Sequence, residues 1–236
     1  MKKLLNESAR PLYIQLMQRI REDIDRGKYP VGTRIPPEHK LENEYNVSRV
    51  TVRRALSELT SEGLLDRKQG KGTFVSVPRI SQDLKSVHSF HDSCAANKVT
   101  PGTKLLHVKE LEADEKDITD LRLHPGDRVI ETLRVRLADN IPVVVERNHF
   151  SMAYSYLSAI DLNGSLYTAL RDFGVEARDA THDLSLSFAT AEIADMLDVP
   201  VGFPLLELRE VIYDQLGRPL HNSVQLIRGD RFVFRI

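Results

Sequence analysis

The stretch from Ile35 to Val75, IPPEHKLENEYNVSRVTVRRALSELTSEGLLDRKQGKGTFV, constrains this chain more than any other. Its order is helix, tight turn, helix, then a small basic hairpin. Leu41 and Tyr45, four residues apart, set an apolar stripe on the first helix. Asn46-Val47 make the turn, and Ser48 is placed to cap the second helix by accepting a backbone N–H. Val52, Ala55, Leu56 and Leu59 form the inward face of that helix, and Gly63 ends it. Arg49, Thr51, Arg53 and Arg54 are left near its N-terminal half, where a recognition helix touches base edges and phosphates. Leu64-Leu65 and Thr73-Phe74-Val75 can pair as short strands around Arg67-Lys68-Gln69-Gly70-Lys71-Gly72. Helices with scattered arginines could be a solvated hairpin. The cap, the turn and the basic glycine-rich wing together define a winged helix-turn-helix built to hold DNA.

Charge divides the chain in the same place. Residues 1–76 carry 15 Lys+Arg against 10 Asp+Glu, and the remaining 160 carry 18 against 24. The whole-chain charge of −1 hides a basic module joined to an acidic one. A length of 236 residues accommodates two domains. The expected boundaries are a DNA-binding domain over 1–76, a linker over 77–83 containing Pro78, and a second domain over 84–236. The start MKKLLNESARPLY has no long apolar run and is not read as a secretory signal. No segment approaches a membrane span. The single cysteine, Cys94, suits a reducing compartment and reads as inert, so a cytoplasmic location is expected.

Pro11 opens a helix whose apolar residues are Leu12, Ile14, Leu16, Met17, Ile20 and Ile24, and Gly27 stops it. Past the linker, strands are expected at Lys104–Leu111, Val129–Leu137, Pro142–Phe150, His182–Phe188, Leu205–Tyr213 and Leu220–Ile227. Helices are expected at Asp114–Leu123, Tyr154–Ile160, Ser165–Phe173 and after Thr190. Asp139-Asn140 and Gln215-Leu216-Gly217-Arg218 mark hairpins. This makes an α+β chain: a winged helix-turn-helix followed by an antiparallel-sheet domain.

The residues 35–75 resemble the GntR family of bacterial transcription regulators. The remainder resembles the UTRA effector domain of its HutC subfamily. That second resemblance rests on Val87-His88-Ser89-Phe90, Thr100-Pro101-Gly102-Thr103-Lys104, Asp198-Val199-Pro200 with Pro204-Leu205-Leu206, Gly217-Arg218-Pro219-Leu220 and Arg228-Gly229-Asp230-Arg231-Phe232. The resemblance implies a repressor that binds a palindromic operator as a homodimer, with a chorismate-lyase-like fold used for ligand sensing. It puts DNA contacts at Arg34, Glu38, Ser48, Arg49, Thr51, Arg53, Arg54, Gly70, Lys71 and Gly72. Where the family has Ser before the glutamate, this chain has Pro37.

Strand parity sets Arg128, Ile130, Thr132, Arg134 and Arg136 on one face of their strand, and Val129, Leu133, Val135 and Leu137 on the other, with Glu131 as the exception. Two arginines on one face suit a phosphate or carboxylate, or are a solvated sheet face. The resemblance favours the first and adds Glu146, Ser165 and Tyr167, with His88, Ser89 and His91 at the rim. It also marks His221, where amino-sugar-phosphate sensors carry Glu, and Ile227 in place of Tyr. A phosphorylated sugar or sugar derivative is the expected effector, with a carboxylate such as urocanate as the alternative. Glu146 joins the arginines only if the hairpin loop is the three residues Asp139–Ile141; if Asp139-Asn140 alone form the turn, it points to the other face. No nucleophile–base or metal-ligand spacing is present: His182-Asp183 and His221-Asn222 stand isolated. An enzyme, a cofactor and a metal are therefore not expected, and an architectural DNA binder is disfavoured by the paired arginines.

Overall fold

The computed structural model describes residues 10–77 and 79–235. The segment before residue 10 and the linker's Pro78 lie outside the described residues. The chain divides into two compact units, Met1–Pro78 and Arg79–Ile236.

The first unit holds helices α1 (Leu12–Asp25), α2 (Glu38–Tyr45) and α3 (Arg49–Ser61) and the hairpin β1 (Leu65–Lys68) and β2 (Gly72–Val75). Pro11 precedes α1, and its carbonyl accepts the N–H groups of Ile14 and Gln15. Leu16 and Ile20, four apart, are fully buried, with Tyr13, Met17 and Ile24 packed beside them. Ile14 is exposed, contrary to expectation, because it falls on the opposite side of the helix from Leu16. Asn46 ends α2 in the left-handed conformation at φ 51°. Ser48 Oγ accepts from Thr51 N–H, and Val52, Ala55, Leu56 and Leu59 are all buried, as the periodicity requires. Leu65 pairs with Val75 and Lys68 with Gly72, so the wing strands run further than the apolar residues indicate and the loop shrinks to Gln69–Lys71.

The second unit is built on six antiparallel strands ordered β4-β5-β6-β9-β8-β7: β4 (Pro101–Glu112), β5 (Arg128–Ala138), β6 (Ile141–Ser151), β7 (Ala177–Phe188), β8 (Pro204–Asp214) and β9 (Pro219–Arg228). Helix α5 (Glu115–Leu121) links β4 to β5; α6 (Leu166–Asp172) and α7 (Ala191–Leu197) flank β7. The helix expected at Tyr154–Ile160 is a 3-10 helix over Met152–Ala159. Two features correct the sequence reading. The expected linker contains a strand, β3 (Ile80–Asp83), which pairs in parallel with β10 (Phe232–Arg235), so the sheet structure is not wholly antiparallel. Helix α4 (Phe90–Ala96) follows, closed by a capping box between Ser89 and Asp92. Its seven residues were too few to show a helical period.

The β5–β6 hairpin decides where Glu146 points. Asp139 and Asn140 form a two-residue turn with φ of 50° and 64°. Regular pairing would then invert Glu146. Instead Leu137 pairs with Pro142 and Arg136 with Val144, so Val143 is an inserted bulge. From there Arg134 pairs with Glu146. The short turn and the productive register coexist because the bulge restores the parity.

Candidate functional site

In the first unit, α2, the start of α3 and the wing enclose a groove lined by Arg34, Glu38, Arg49, Arg67, Lys68, Gly70 and Gly72. Glu38 sits among the cations, its carboxylate bonded to the Arg67 guanidinium and 3.5 Å from Arg49 Nε. It therefore orients two arginines, and its N-terminal position on α2 is favoured by the helix dipole. Thr51 Oγ1 is 2.9 Å from Ser48 Oγ. Arg53 is exposed on α3, and Arg54 stacks its guanidinium 4.0 Å from the Tyr13 ring centroid. Gly72 has φ +120°, and a Cβ there would stand 2.5 Å from Arg34 Nε, so glycine allows that arginine to lie against the wing. Gly70 at φ +71° turns the wing next to the exposed Lys71.

In the second unit, one sheet face and the segment from Gln82 to Phe90 enclose a cavity of about 50 Å³. His88, Ser89, Arg136, Glu146, Ser165 and Tyr167 line it. Arg134, His91 and His221 do not reach its wall. Arg134 lies beside it, 1% exposed, with Nη2 donating to Glu146 Oε1 at 2.8 Å. His91 Nδ1 is 3.0 Å from Arg136 Nη2, while the Phe90 ring faces that guanidinium at 4.7 Å. Helix α4 thus covers Arg136. His221 packs against Phe150, ring centroids 4.8 Å apart, with Nε2 3.4 Å from the Tyr167 hydroxyl. Ser165 caps α6, accepting from Thr168 N–H.

The strand face carrying these arginines is buried rather than solvated. Both Nε and Nη1 of Arg134 and of Arg136 are buried without a hydrogen-bond partner among the described residues. Burial opposes the Glu146 charge, but the guanidiniums of Arg134 and Arg136 prevail and hold its carboxyl down at about 2. Burial lowers Arg136 to about 10 and His221 to about 4, leaving His221 neutral at physiological pH.

Sequence reasoning missed the other polar wall of this cavity. Glu210 on β8 is 2.8 Å from His182 Nδ1 and accepts a hydrogen bond from Gln225, and all three line it. His182, read as isolated, is thus paired across strands. The signal was present: His182 and Glu210 each interrupt an alternating strand. Only the β7–β8 register, which sets them opposite one another, joins them.

On the opposite sheet face, Glu131 accounts for its own exception to the apolar pattern. His149 bridges Asp117 Oδ1 at 2.8 Å and Glu131 Oε2 at 3.0 Å, and Glu131 Oε1 is 2.7 Å from His107 Nε2. Asn222 also donates to Asp117. Burial disfavours charge on His149, yet bonds to Asp117 and Glu131 dominate and raise its pKa. Burial likewise opposes the Glu131 charge, and its His and Lys partners hold it at about 2. Cys94 is buried, which pushes its thiol up to about 12 and makes it unreactive.

A winged helix-turn-helix unit, followed in the chain by a sheet domain with a buried arginine pair, has the parts of a DNA-binding transcription regulator. The profile described as bacterial regulatory proteins, gntR family, matches residues 12–75, and the UTRA domain profile matches residues 96–233. The chain belongs to the GntR family and is a transcriptional repressor of its HutC type, not an enzyme. It is 32% identical to the HTH-type transcriptional repressor NagR of Bacillus subtilis, over 97% of this chain and 95% of that protein. It is 31% identical to the histidine utilization repressor of Pseudomonas putida, over 94% and 90%. The crystal structure of PhnF from Mycobacterium smegmatis superposes with a TM-score of 0.74 at 27% identity, covering 95% of this chain and 97% of that one. Among the described residues no helix is long and apolar enough to cross a membrane.

Proposed function

We infer that this repressor binds a palindromic operator as a homodimer and is controlled by a small anionic metabolite, a phosphorylated sugar or sugar derivative. The observation that carries the effector reading is Arg136, which lines the cavity with its Nε and Nη1 buried and without hydrogen bonds, backed by Arg134, whose Nε and Nη1 are buried and unbonded beside it. Buried polar groups are almost always partnered, and a polyoxygen anion supplies several acceptors at once. Glu146 and Glu210 supply acceptors for hydroxyl groups. A relative named as a probable fructoselysine utilization operon repressor, 30% identical over 95% of this chain, supports a sugar-derived ligand.

The cavity has room for ordered water rather than for a sugar phosphate. Ligand entry therefore displaces the Gln82–Phe90 segment, which follows the DNA-binding unit by a few residues. An anion on Arg136 competes with the His91 and Phe90 contacts that hold α4. This ties occupancy to the strand β3 from which the first unit departs.

Arg34, Glu38, Ser48, Arg49, Thr51, Arg53, Arg54, Gly70, Lys71 and Gly72 make up the DNA-facing set in this reading. Self-association is supported by Leu184, Leu186 and Phe188, 41%, 66% and 59% exposed, which alternate along the edge strand β7.

The test is thermal melting of the full chain with sugar phosphates, the parent sugars and small carboxylates including urocanate. A ligand that binds the native state raises the melting temperature. Sugar phosphates should do so, and the best of them should alter operator binding in a gel shift. A response to urocanate alone would replace the sugar-phosphate reading with the carboxylate one.

A further inference from the structure

Val50 is 76% exposed, more than any other large apolar side chain among the described residues. It stands in the first turn of α3, between Arg49 and Thr51. At 3.6 residues per turn, Val50 projects about 170° away from the mean direction of Val52, Ala55, Leu56 and Leu59. Within the N-terminal half of the helix it therefore points most directly away from the buried face. Its charged neighbours are drawn sideways: Arg49 lies 3.5 Å from Glu38, and Arg54 stacks on Tyr13. A branched aliphatic group is thus left leading a surface otherwise made of cations and hydroxyls.

We propose that Val50 is a specificity-determining residue that reads the 5-methyl group of a thymine in the operator's major groove. The N-terminal residues of a recognition helix meet base edges, and the thymine methyl is the one apolar group those edges present. An isopropyl group facing the groove gains by removing its own surface and the methyl from water. Opposite a cytosine or a purine edge it desolvates polar groups without replacing their hydrogen bonds, which penalises those bases. The inference rests on α3 being the helix that enters the groove.

The experiment uses the full chain. An operator is selected from random duplexes, and each thymine is then replaced in turn by deoxyuridine, which lacks only the methyl group. Val50→Ala is the partner variant; the site is exposed and alanine is the better helix former, so folding is preserved. One thymine per half-site should show a two- to fourfold loss on methyl removal with the natural chain and none with Val50→Ala, about the worth of one buried methyl. Equal losses in both chains, or no sensitive thymine in an operator that is nonetheless selected, would overturn the role of Val50 alone. Failure to select any sequence would overturn the groove docking of α3 and this inference with it.

Discussion

Arg134 and Glu146 face each other across β5 and β6 with Nη2 2.8 Å from Oε1, a pairing that exists only because Val143 bulges out of the hairpin. Arg134 is 1% exposed and Glu146 also lies 3.7 Å from Arg136 Nε. Arg134→Ala should abolish the effector response. It should also lower stability by about 3–5 kcal/mol, because a buried carboxylate loses its closest partner. Arg136→Ala separates the two effects better, since Arg134 continues to hold Glu146. Operator binding should persist in that variant while effector-induced melting shifts vanish. An unaltered shift would make these arginines purely structural.

Several cations converge on the first unit's groove, so operator affinity should fall steeply between low and physiological salt. Arg53→Ala should cost about 1–3 kcal/mol and blur one base preference per half-site. Lys71→Ala should instead weaken every sequence evenly. Filter-binding titrations across a salt series distinguish these behaviours, and a flat salt response would contradict the docking.

Glu38 ties Arg67 and Arg49 together. Replacing it by Gln removes a negative charge from the groove and releases both arginines. Non-specific DNA affinity should rise while the ratio of operator to random-sequence affinity falls, measured by competition binding. A fall in operator affinity with random-sequence affinity unchanged would show that Glu38 acts by contacting a base.

His149 lies between two carboxylates that raise its pKa, while Asp117 and Glu131 are lowered. A raised histidine stabilises fully below its unfolded value near 6.5 and loses that contribution as the pH rises through its folded value. The lowered carboxylates act in the other direction: their contribution is present above their unfolded values near 4 and is lost as the pH falls through their folded ones. Melting temperature should therefore peak between these ranges and decline toward alkaline pH. His149→Gln should flatten the alkaline decline. A decline of unchanged slope in that variant would assign it to another group.

Leu186 is 66% exposed in the middle of the apolar row on β7. Leu186→Asp places a charge in any interface formed there and should convert a dimer to a monomer in sedimentation, with little effect on the monomer's fold. A dimer that survives would move the interface off β7.

The winged helix-turn-helix was legible in the sequence because each of its parts is local. Ser48 caps the helix it precedes, and Val52, Ala55, Leu56 and Leu59 mark one helix face by spacing alone. The strands of the second unit were visible for the same reason, as was the shared face of Arg134 and Arg136. Pairing across strands was not. The two-residue turn at Asp139-Asn140 pointed Glu146 away, and a single bulged residue, Val143, brought it back. Pro142 beside it is the one local hint, since proline in a central strand falls at a strand start or a bulge, but the hint alone does not say that the register shifts there. The parallel pairing of β3 with β10 and the meeting of His182 with Glu210 joined residues far apart in the chain. Periodicity thus determined which side chains each element presents, whereas register and closure, set by burial of the whole sheet, decided which of them meet.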